Sequence, residues 1–159
     1  MNEMEVTMKT LVIYDSYFGN TALIAETVAK ELNCQHIKVH SFKKEMVNDY
    51  DTIIIGSPTR AFSPTKDIKN LVKSIRRLDA VVAIFDTRID VEKDGPKILR
   101  FLVARFGYSN DSIEKMLQKK GIDLALPPGA FYVQDSEGPL GEEELTKAKE
   151  WIKPLKEET

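Results

Sequence analysis

Three short apolar runs constrain the fold of this chain more than any other feature. They are residues 10–15 (TLVIYD), 52–55 (TIII) and 80–85 (AVVAIF), and each is followed by a turn-like segment. Runs this short, rich in β-branched residues and without a polar face, are typical of strands covered on both sides. A sheet of such strands requires a layer of helices on each of its faces.

Two weaker strands and four helical stripes complete the pattern. Residues 36–40 alternate between apolar and polar side chains, which predicts an edge strand with His36 and His40 pointing outward, and residues 130–134 (AFYVQ) predict a fifth strand. Helical spacing relates Ile24, Val28 and Leu32; Ile68, Leu71, Val72 and Ile75; Ile113, Met116 and Leu117; and Leu145, Ala148 and Ile152. The predicted class is α/β: a three-layer α/β/α sandwich with right-handed crossovers and a five-stranded parallel sheet of order 2-1-3-4-5.

Local signals predict where the helices begin and end. Ser63 and Pro64 resemble an N-cap followed by a first helical residue, and Asp111 with Glu114 resembles a capping box. Gly121 suits the left-handed position after a helix, and Pro154 is expected to end the last helix near Ile152.

The segment 96–106 (PKILRFLVARF) does not fit the minimal scheme. It is apolar on nearly every side of a predicted helix, so we expect it to be buried against something. A lid over a ligand, a homodimer contact and additional core are the three alternatives.

Composition limits the setting and the partners. Cys34 is the only cysteine, which excludes an internal disulfide and a cysteine-rich metal site and suits a reducing cytoplasm. The net charge of -2 favours neither nucleic acid nor a membrane surface, and no apolar run is as long as a membrane span. We expect a cytoplasmic protein with one domain over residues 9–156, preceded by a disordered extension over residues 1–8.

The first candidate site is the loop between the first strand and the first helix. Ser16, Tyr17, Phe18, Gly19, Asn20 and Thr21 bring hydroxyl groups, a glycine and helix N-terminal amides to one point, which predicts an anion site held by neutral donors. The loop matches neither GxxxxGK[ST] nor GxGxxG. The alternative is that Ser16, Asn20 and Thr21 only cap the helix.

The loop after the third strand, residues 56–65 (GSPTRAFSPT), leaves the same end of the adjacent predicted strand. The two loops are therefore expected to face each other across a crevice. No serine–histidine or cysteine–histidine nucleophile set is visible in the sequence, so we predict no catalytic residue and no metal ligand.

Together these loops resemble the flavodoxin family. The resemblance covers about residues 9–155 and rests on SxxGNT, GSPTRAFSPT, the FDTR that follows the fourth strand, and FYVQDSEGPL before the last helix. It implies flavin mononucleotide (FMN) as cofactor, with Ser16, Gly19, Asn20 and Thr21 on the phosphate. The ring would then contact the second and third loops, namely Ser57, Pro58, Thr59, Arg60, Ala61 and Phe62, and Asp86, Thr87 and Arg88.

The chain departs from that family pattern at two places. Phe18 stands where many flavodoxins have threonine, and the third loop offers no aromatic side chain to sandwich the ring. We expect Phe62 to stack on or shield the ring, and Arg60 and Arg88 to raise the potential of a bound flavin if they are not merely solvated surface charges.

The function implied by the resemblance is electron transfer between redox partner proteins, with FMN as the carrier. An FMN-dependent reductase that acts on a quinone or another small acceptor is the alternative, and a flavodoxin-like binding module that has lost FMN is a third. A phosphorylated receiver domain shares the strand order, but it needs an acidic residue after the third strand, where Gly56 and Ser57 stand instead.

Overall fold

The computed structural model describes residues 9–76, 79–90, 96–135 and 137–157. Its centre is a sheet of five strands: β1 (Thr10–Tyr14), β2 (Gln35–Lys38), β3 (Thr52–Pro58), β4 (Val81–Ile89) and β5 (Gly129–Val133). The order is β2-β1-β3-β4-β5, and every neighbouring pair runs parallel. The predicted strand order is confirmed, with β2 at an edge and His36 exposed on it. The strand predicted over residues 36–40 is too long at its end, because His40, which is also exposed, lies in the 3-10 helix Val39–Ser41.

In the described residues, five helices accompany the sheet: α1 (Asn20–Leu32), α2 (Lys66–Ser74), α3 (Lys97–Phe106), α4 (Ser109–Lys119) and α5 (Glu144–Glu157). Two short 3-10 helices, Val39–Ser41 and Lys44–Asp49, lie between β2 and β3. Gly121 has φ +75° two residues after the end of α4, as its position in the sequence predicts.

Successive residues of the central strands enter different layers of the core. Leu11, Ile13, Ile53 and Ile55 pack with α2 and α4, whereas Val12 and Ile54 pack with α1 and α5. Because each strand is buried on both faces, its apolar run is continuous instead of alternating. The three-layer sandwich predicted from those runs is confirmed.

The starts of α2 and α4 differ from the sequence prediction because other residues of the same turns form the capping hydrogen bonds. Ser63 belongs to a tight turn with Arg60, so Thr65 caps α2 instead, its Oγ1 accepting from the amide of Ile68 at 3.3 Å. Helix α4 begins after Tyr108, and Asp111 is its third residue, accepting from the Tyr108 amide at 2.7 Å.

Two further expectations are wrong. Helix α5 continues past Pro154 to Glu157, and Leu155 is buried against α1, which offsets the roughly 3 kcal/mol cost of an internal proline. For residues 96–106, the alternative of additional core is wrong, because Val103 is the only buried residue of α3. The predicted extension over residues 1–8 lies outside the described residues. Within the described ranges, no helix is long and apolar enough to cross a membrane.

Candidate functional site

The predicted site residues converge at the carboxyl ends of the central strands. A cavity of about 400 Å³ opens there, within the roughly 300–1,000 Å³ typical of small-molecule pockets. It is lined by Ser16, Tyr17, Phe18, Asn20, Thr21, Pro58, Thr59, Arg60, Ala61, Thr87, Arg88, Ile89 and Val133. All three loops named from the sequence therefore contribute to one cavity.

The first loop is shaped by its own glycine and serine. Gly19 is the N-cap of α1 with φ +91°, a left-handed conformation that side chains other than that of glycine rarely adopt. The hydroxyl of Ser16 accepts hydrogen bonds from the amides of Gly19 and Ala22, at 3.1 and 3.3 Å. Asn20 and Thr21, the first residues of α1, line the cavity beside this turn.

Four neutral donors remain at this helix terminus after the internal hydrogen bonds are assigned. The Ser16 hydroxyl only accepts in the bonds above, so its own proton is available. The hydroxyls of Thr21 and Thr87 form one hydrogen bond at 2.7 Å. One of the two hydroxyls donates its proton in that bond, so the proton of the other remains available to a ligand. Nothing in the described part of the chain accepts from the amides of Asn20 and Thr21. Such a donor set fits a phosphate group.

The side chain of Asn20 is hydrogen-bonded to another loop of the protein. Its Nδ2 donates to the carbonyl oxygen of Glu137 at 3.1 Å, and a Cβ at Gly138 would lie 2.7 Å from the Asn20 amide group. The first loop is thus tied to the loop after β5. What Asn20 offers to an anion is its backbone amide.

Arg60 brings to the first loop a cation that the loop's own sequence lacks. Its Cζ lies 4.9 Å from the ring centroid of Tyr17 and 5.4 Å from that of Phe18, so cation–π contacts join the first two loops. No carboxylate in the described residues forms an ion pair with Arg60.

Arg88, by contrast, is paired and mostly buried. Its Nε and Nη2 donate to the carboxylate of Asp86 at 2.8 and 2.7 Å, and its Cζ lies 3.7 Å from the Tyr108 ring centroid. Burial acts to lower the pKa of Arg88, but the hydrogen bonds and charge of Asp86 raise it by more, so the guanidinium remains charged. The alternative that Arg88 is merely a solvated surface charge is therefore wrong.

Asp86 lies beneath the cavity and does not line it. The side chain is fully buried, and burial raises its pKa against the opposing effects of Arg88 and the Asn110 amide. The Asn110 amide donates to Asp86 at 3.0 Å, and the Ser109 amide donates to Thr59 Oγ1 at 3.1 Å. The start of α4 thereby supports both the second and the third loop.

Three other predicted residues lie beside the cavity rather than in its wall. Gly19 shapes the first loop, as described above. The hydroxyl of Ser57 accepts from the Thr65 amide at 3.2 Å and donates to the Pro58 carbonyl. Phe62 does not line the cavity, because its ring packs against that of Phe106 with centroids 6.3 Å apart.

Sequence reasoning missed two wall residues and the support from α4. Ile89 follows Arg88 directly, and Val133 ends β5, so both are at strand ends where lining residues are expected. The bonds from Ser109 and Asn110 have no sequence signal, since their partners are 50 and 24 residues away.

The fold and the cavity define a doubly wound α/β protein with a cavity and available hydrogen-bond donors at its switch point, which is the arrangement of flavodoxins. A family model described as a flavodoxin domain matches residues 11–132. The match spans most of the sequence, and the chain belongs to the flavodoxin family. Flavin binding, typically of FMN, is what that membership implies.

Solved structures are similar to this chain over nearly all of its length. Oxidised flavodoxin 1 from Bacillus cereus has a TM-score of 0.72 at 18% identity, covering 95% of this chain and 99% of that one. The rubredoxin oxygen:oxidoreductase of Desulfovibrio gigas has a TM-score of 0.71 at 16% identity, covering 96% of this chain and 36% of that one. A WrbA-like flavodoxin from Agrobacterium tumefaciens has a TM-score of 0.66 at 16% identity, covering 95% and 96%. No curated protein matches the sequence significantly.

Proposed function

We propose that the protein binds FMN in this cavity and serves as an electron carrier between redox partner proteins. The observation that carries the proposal is the set of four neutral donors at the start of α1, in the same cavity wall as two loops from neighbouring strands. That set fits a terminal phosphate, and the second and third loops are left to hold the ring.

Each loop has a distinct task in this proposal. Ser16 and Thr21 would hold the phosphate together with the first amides of α1, and Thr87 would orient the Thr21 hydroxyl. The Thr59 amide donates to the Thr87 carbonyl at 2.9 Å, which fixes the second loop against the third. The ring would lie against these two loops, with Arg60 near the junction of the first and second.

When bound, FMN supplies the capacity to accept and release one or two electrons. The protein's own contribution is the charge it presents to the cofactor. Asp86 offsets the charge of Arg88, whereas Arg60 has no ion-pair partner in the described residues. We therefore expect Arg60 to be the cation that stabilises a reduced, anionic ring and so raises its potential.

One observation favours the alternative of an FMN-dependent reductase. The third-loop wall consists of Thr87, Arg88 and Ile89 and contains no aromatic ring, so that side of the cavity would be less covered. A reductase would oxidise NADH or NADPH with a quinone as acceptor at a rate the purified protein sustains, whereas a carrier would not. Steady-state nucleotide oxidation with and without a quinone separates the two functions.

The test of the binding site begins with the visible spectrum of the freshly purified protein and an FMN titration of the stripped protein. We expect flavin absorbance and saturable binding, with FMN bound roughly a hundredfold more tightly than riboflavin, which lacks the phosphate. A colourless protein that ignores FMN would overturn the proposal and leave a flavodoxin-shaped binding module.

A matched pair of variants locates the phosphate. Thr21→Val removes a hydroxyl from the cavity. Thr27→Val removes a hydroxyl from the same helix, where the Thr27 Oγ1 donates to the Leu23 carbonyl at 2.8 Å. Thr21→Val should weaken FMN about tenfold without affecting riboflavin, and Thr27→Val should leave both affinities unchanged. Equal effects of Thr21→Val on the two flavins would place the phosphate elsewhere.

A further inference from the structure

Helix α3 presents an exposed surface that is both apolar and basic. Its outward side chains are Lys97, Ile98, Arg100, Phe101, Arg105 and Phe106, and we call this set the α3 face. Ile98, Phe101 and Phe106 are 63%, 65% and 57% exposed, the three highest values among the large apolar side chains in the described ranges. Several large apolar side chains exposed on one helix are typical of an interaction surface.

The charge of the α3 face has one sign. Lys97, Arg100 and Arg105 are its cations, and residues 96–107 contain no aspartate or glutamate. The whole chain has a net charge of -2, so this local positive charge is opposite to the overall balance. A surface with an apolar centre and peripheral cations complements one with an apolar centre and peripheral carboxylates.

The α3 face is continuous with the rim of the cavity. Phe106 packs on Phe62 of the second loop, and Tyr108, two residues after the helix, stacks on Arg88 in the cavity wall. Ile89, which also lines the cavity, is 38% exposed. A protein seated on the α3 face would therefore cover the side of the cavity that the second and third loops form.

We propose that the α3 face is the docking surface for an acidic electron-transfer protein. The proposal rests on the function proposed above, because a redox partner is the class of protein that gains from binding beside the cofactor. The apolar residues would supply the contact area, and the three cations would set the orientation and speed the encounter.

The same observations disfavour two other occupants. A symmetric dimer through this face would bring the three cations of one copy close to the three of the other, and this repulsion opposes association. An anionic membrane is typically bound through clusters of roughly four to eight basic residues, and α3 is a ten-residue helix with three.

The test is a titration of the ¹⁵N-labelled protein with oxidised plant-type [2Fe–2S] ferredoxin, a small acidic redox protein, followed by nuclear magnetic resonance at about 20 mM salt. Both the FMN-free and the FMN-loaded protein are titrated. We expect the amide signals of residues 97–106, Phe62 and Ile89 to shift or broaden. Binding should weaken at least tenfold at about 200 mM salt, where charges on the surface are screened.

Matched variants distinguish the α3 face from general charge effects. Arg100→Glu/Arg105→Glu should weaken ferredoxin binding at least tenfold, whereas Lys149→Glu/Lys153→Glu, the same charge change on exposed residues of α5, should change it less than twofold. Ile98→Ser/Phe101→Ser should also weaken ferredoxin binding, whereas the control Leu145→Ser, on α5, should leave it unchanged. These positions are exposed, and circular dichroism verifies that the variants fold.

Several results would overturn the proposal. One is no binding at low salt, and another is a shift map centred away from α3. Equal losses in the α3 and α5 charge variants would do the same. The proposal would also be overturned if the protein formed a dimer that Phe101→Ser abolished. The same holds if the protein bound phosphatidylserine vesicles but not ferredoxin, and Arg100→Glu/Arg105→Glu abolished the vesicle binding. Failure of FMN binding is a separate outcome, because the FMN-free titration still reports docking.

Discussion

Arg88 donates two hydrogen bonds to the buried carboxylate of Asp86, two positions earlier on the same strand, at 2.8 and 2.7 Å. The side chain of Asp86 is fully buried, and that of Arg88 is 13% exposed. The pair places a positive group in the wall of the cavity while its counter-charge stays beneath the wall. Its energetics give the first prediction.

Replacement of one partner of the Arg88–Asp86 pair should lower the free energy of unfolding far more than the loss of a surface ion pair does. Asp86→Asn leaves the Arg88 guanidinium without its anion, and we expect a loss of about 3–5 kcal/mol in the free energy of unfolding. Urea denaturation measures it. Glu26→Gln, which removes the exposed pair with Lys30, is the control and should cost less than about 1 kcal/mol. Comparable losses of unfolding free energy in Asp86→Asn and Glu26→Gln would contradict the description of Arg88–Asp86 as a buried ion pair.

The reciprocal variant adds a pH dependence. In Arg88→Met the Asp86 carboxyl is buried without its cation, so its pKa in the folded state rises further above that of an unfolded aspartate. The folded state then holds the proton more tightly than the unfolded state does. The stability deficit relative to wild type should be smallest at low pH and grow as pH rises through the folded-state pKa. A deficit independent of pH would count against a buried, unpaired carboxylate.

Arg60 and Arg88 should affect the potential of bound FMN unequally. Arg60→Ala removes a cation that has no ion-pair partner in the described residues, and we expect the midpoint potential to fall on the order of 40 mV, equivalent to about 1 kcal/mol. Arg88→Ala should have a smaller effect near neutral pH, because Asp86 can take up a proton when its partner is lost. Spectroelectrochemistry measures both, and equal shifts would refute the distinction.

Lys120 stabilises the carboxyl end of α2 from a distance. Its Nζ donates to the carbonyl oxygens of Val72, Lys73 and Ile75 at 2.7, 2.6 and 2.9 Å. Lys120→Met should reduce the free energy of unfolding by about 1.5–3 kcal/mol, the range for hydrogen bonds to a charged group. Lys119→Met, at the exposed neighbouring position, should be nearly neutral. A loss no greater than that of Lys119→Met would mean that these bonds are not formed in solution.

The turn of the second loop stores backbone strain. Arg60 and Ser63 exchange two backbone hydrogen bonds, and the two residues between them, Ala61 and Phe62, have φ of 49° and 65°. Ala61→Gly should stabilise the protein by about 0.5–1 kcal/mol, whereas Ala104→Gly inside α3 should destabilise it by about 1 kcal/mol. Thermal unfolding measures both, and destabilisation by Ala61→Gly would show that the left-handed turn is not populated.

The burial of Cys34 predicts an unreactive thiol. Burial raises the pKa of Cys34 to about 11 from an ordinary 9.0. At pH 9 the folded protein should react with iodoacetamide more slowly than the protein in denaturant, because the thiolate is the nucleophile. Mass spectrometry follows the alkylation, and equal rates would contradict the predicted protection.

The sequence by itself determined the layered architecture and the position of the three loops. Continuous apolar runs such as 52–55, short and rich in β-branched residues, are typical of strands covered on both faces, and parallel strands place all their carboxyl ends at one edge. Local chemistry also predicted the left-handed residue at Gly121 after α4, because glycine adopts that conformation without steric cost.

Only the tertiary structure decided which side chains the cavity uses and how α3 is exposed. Arg60 reaches Tyr17 and Phe18, and Asn110 reaches Asp86, through contacts between residues far apart in sequence. The apolar period of α3 cannot distinguish a buried helix from one that awaits a partner, since both require the same side chains. That difference depends on which neighbours the rest of the chain brings close, and no local sequence pattern contains it.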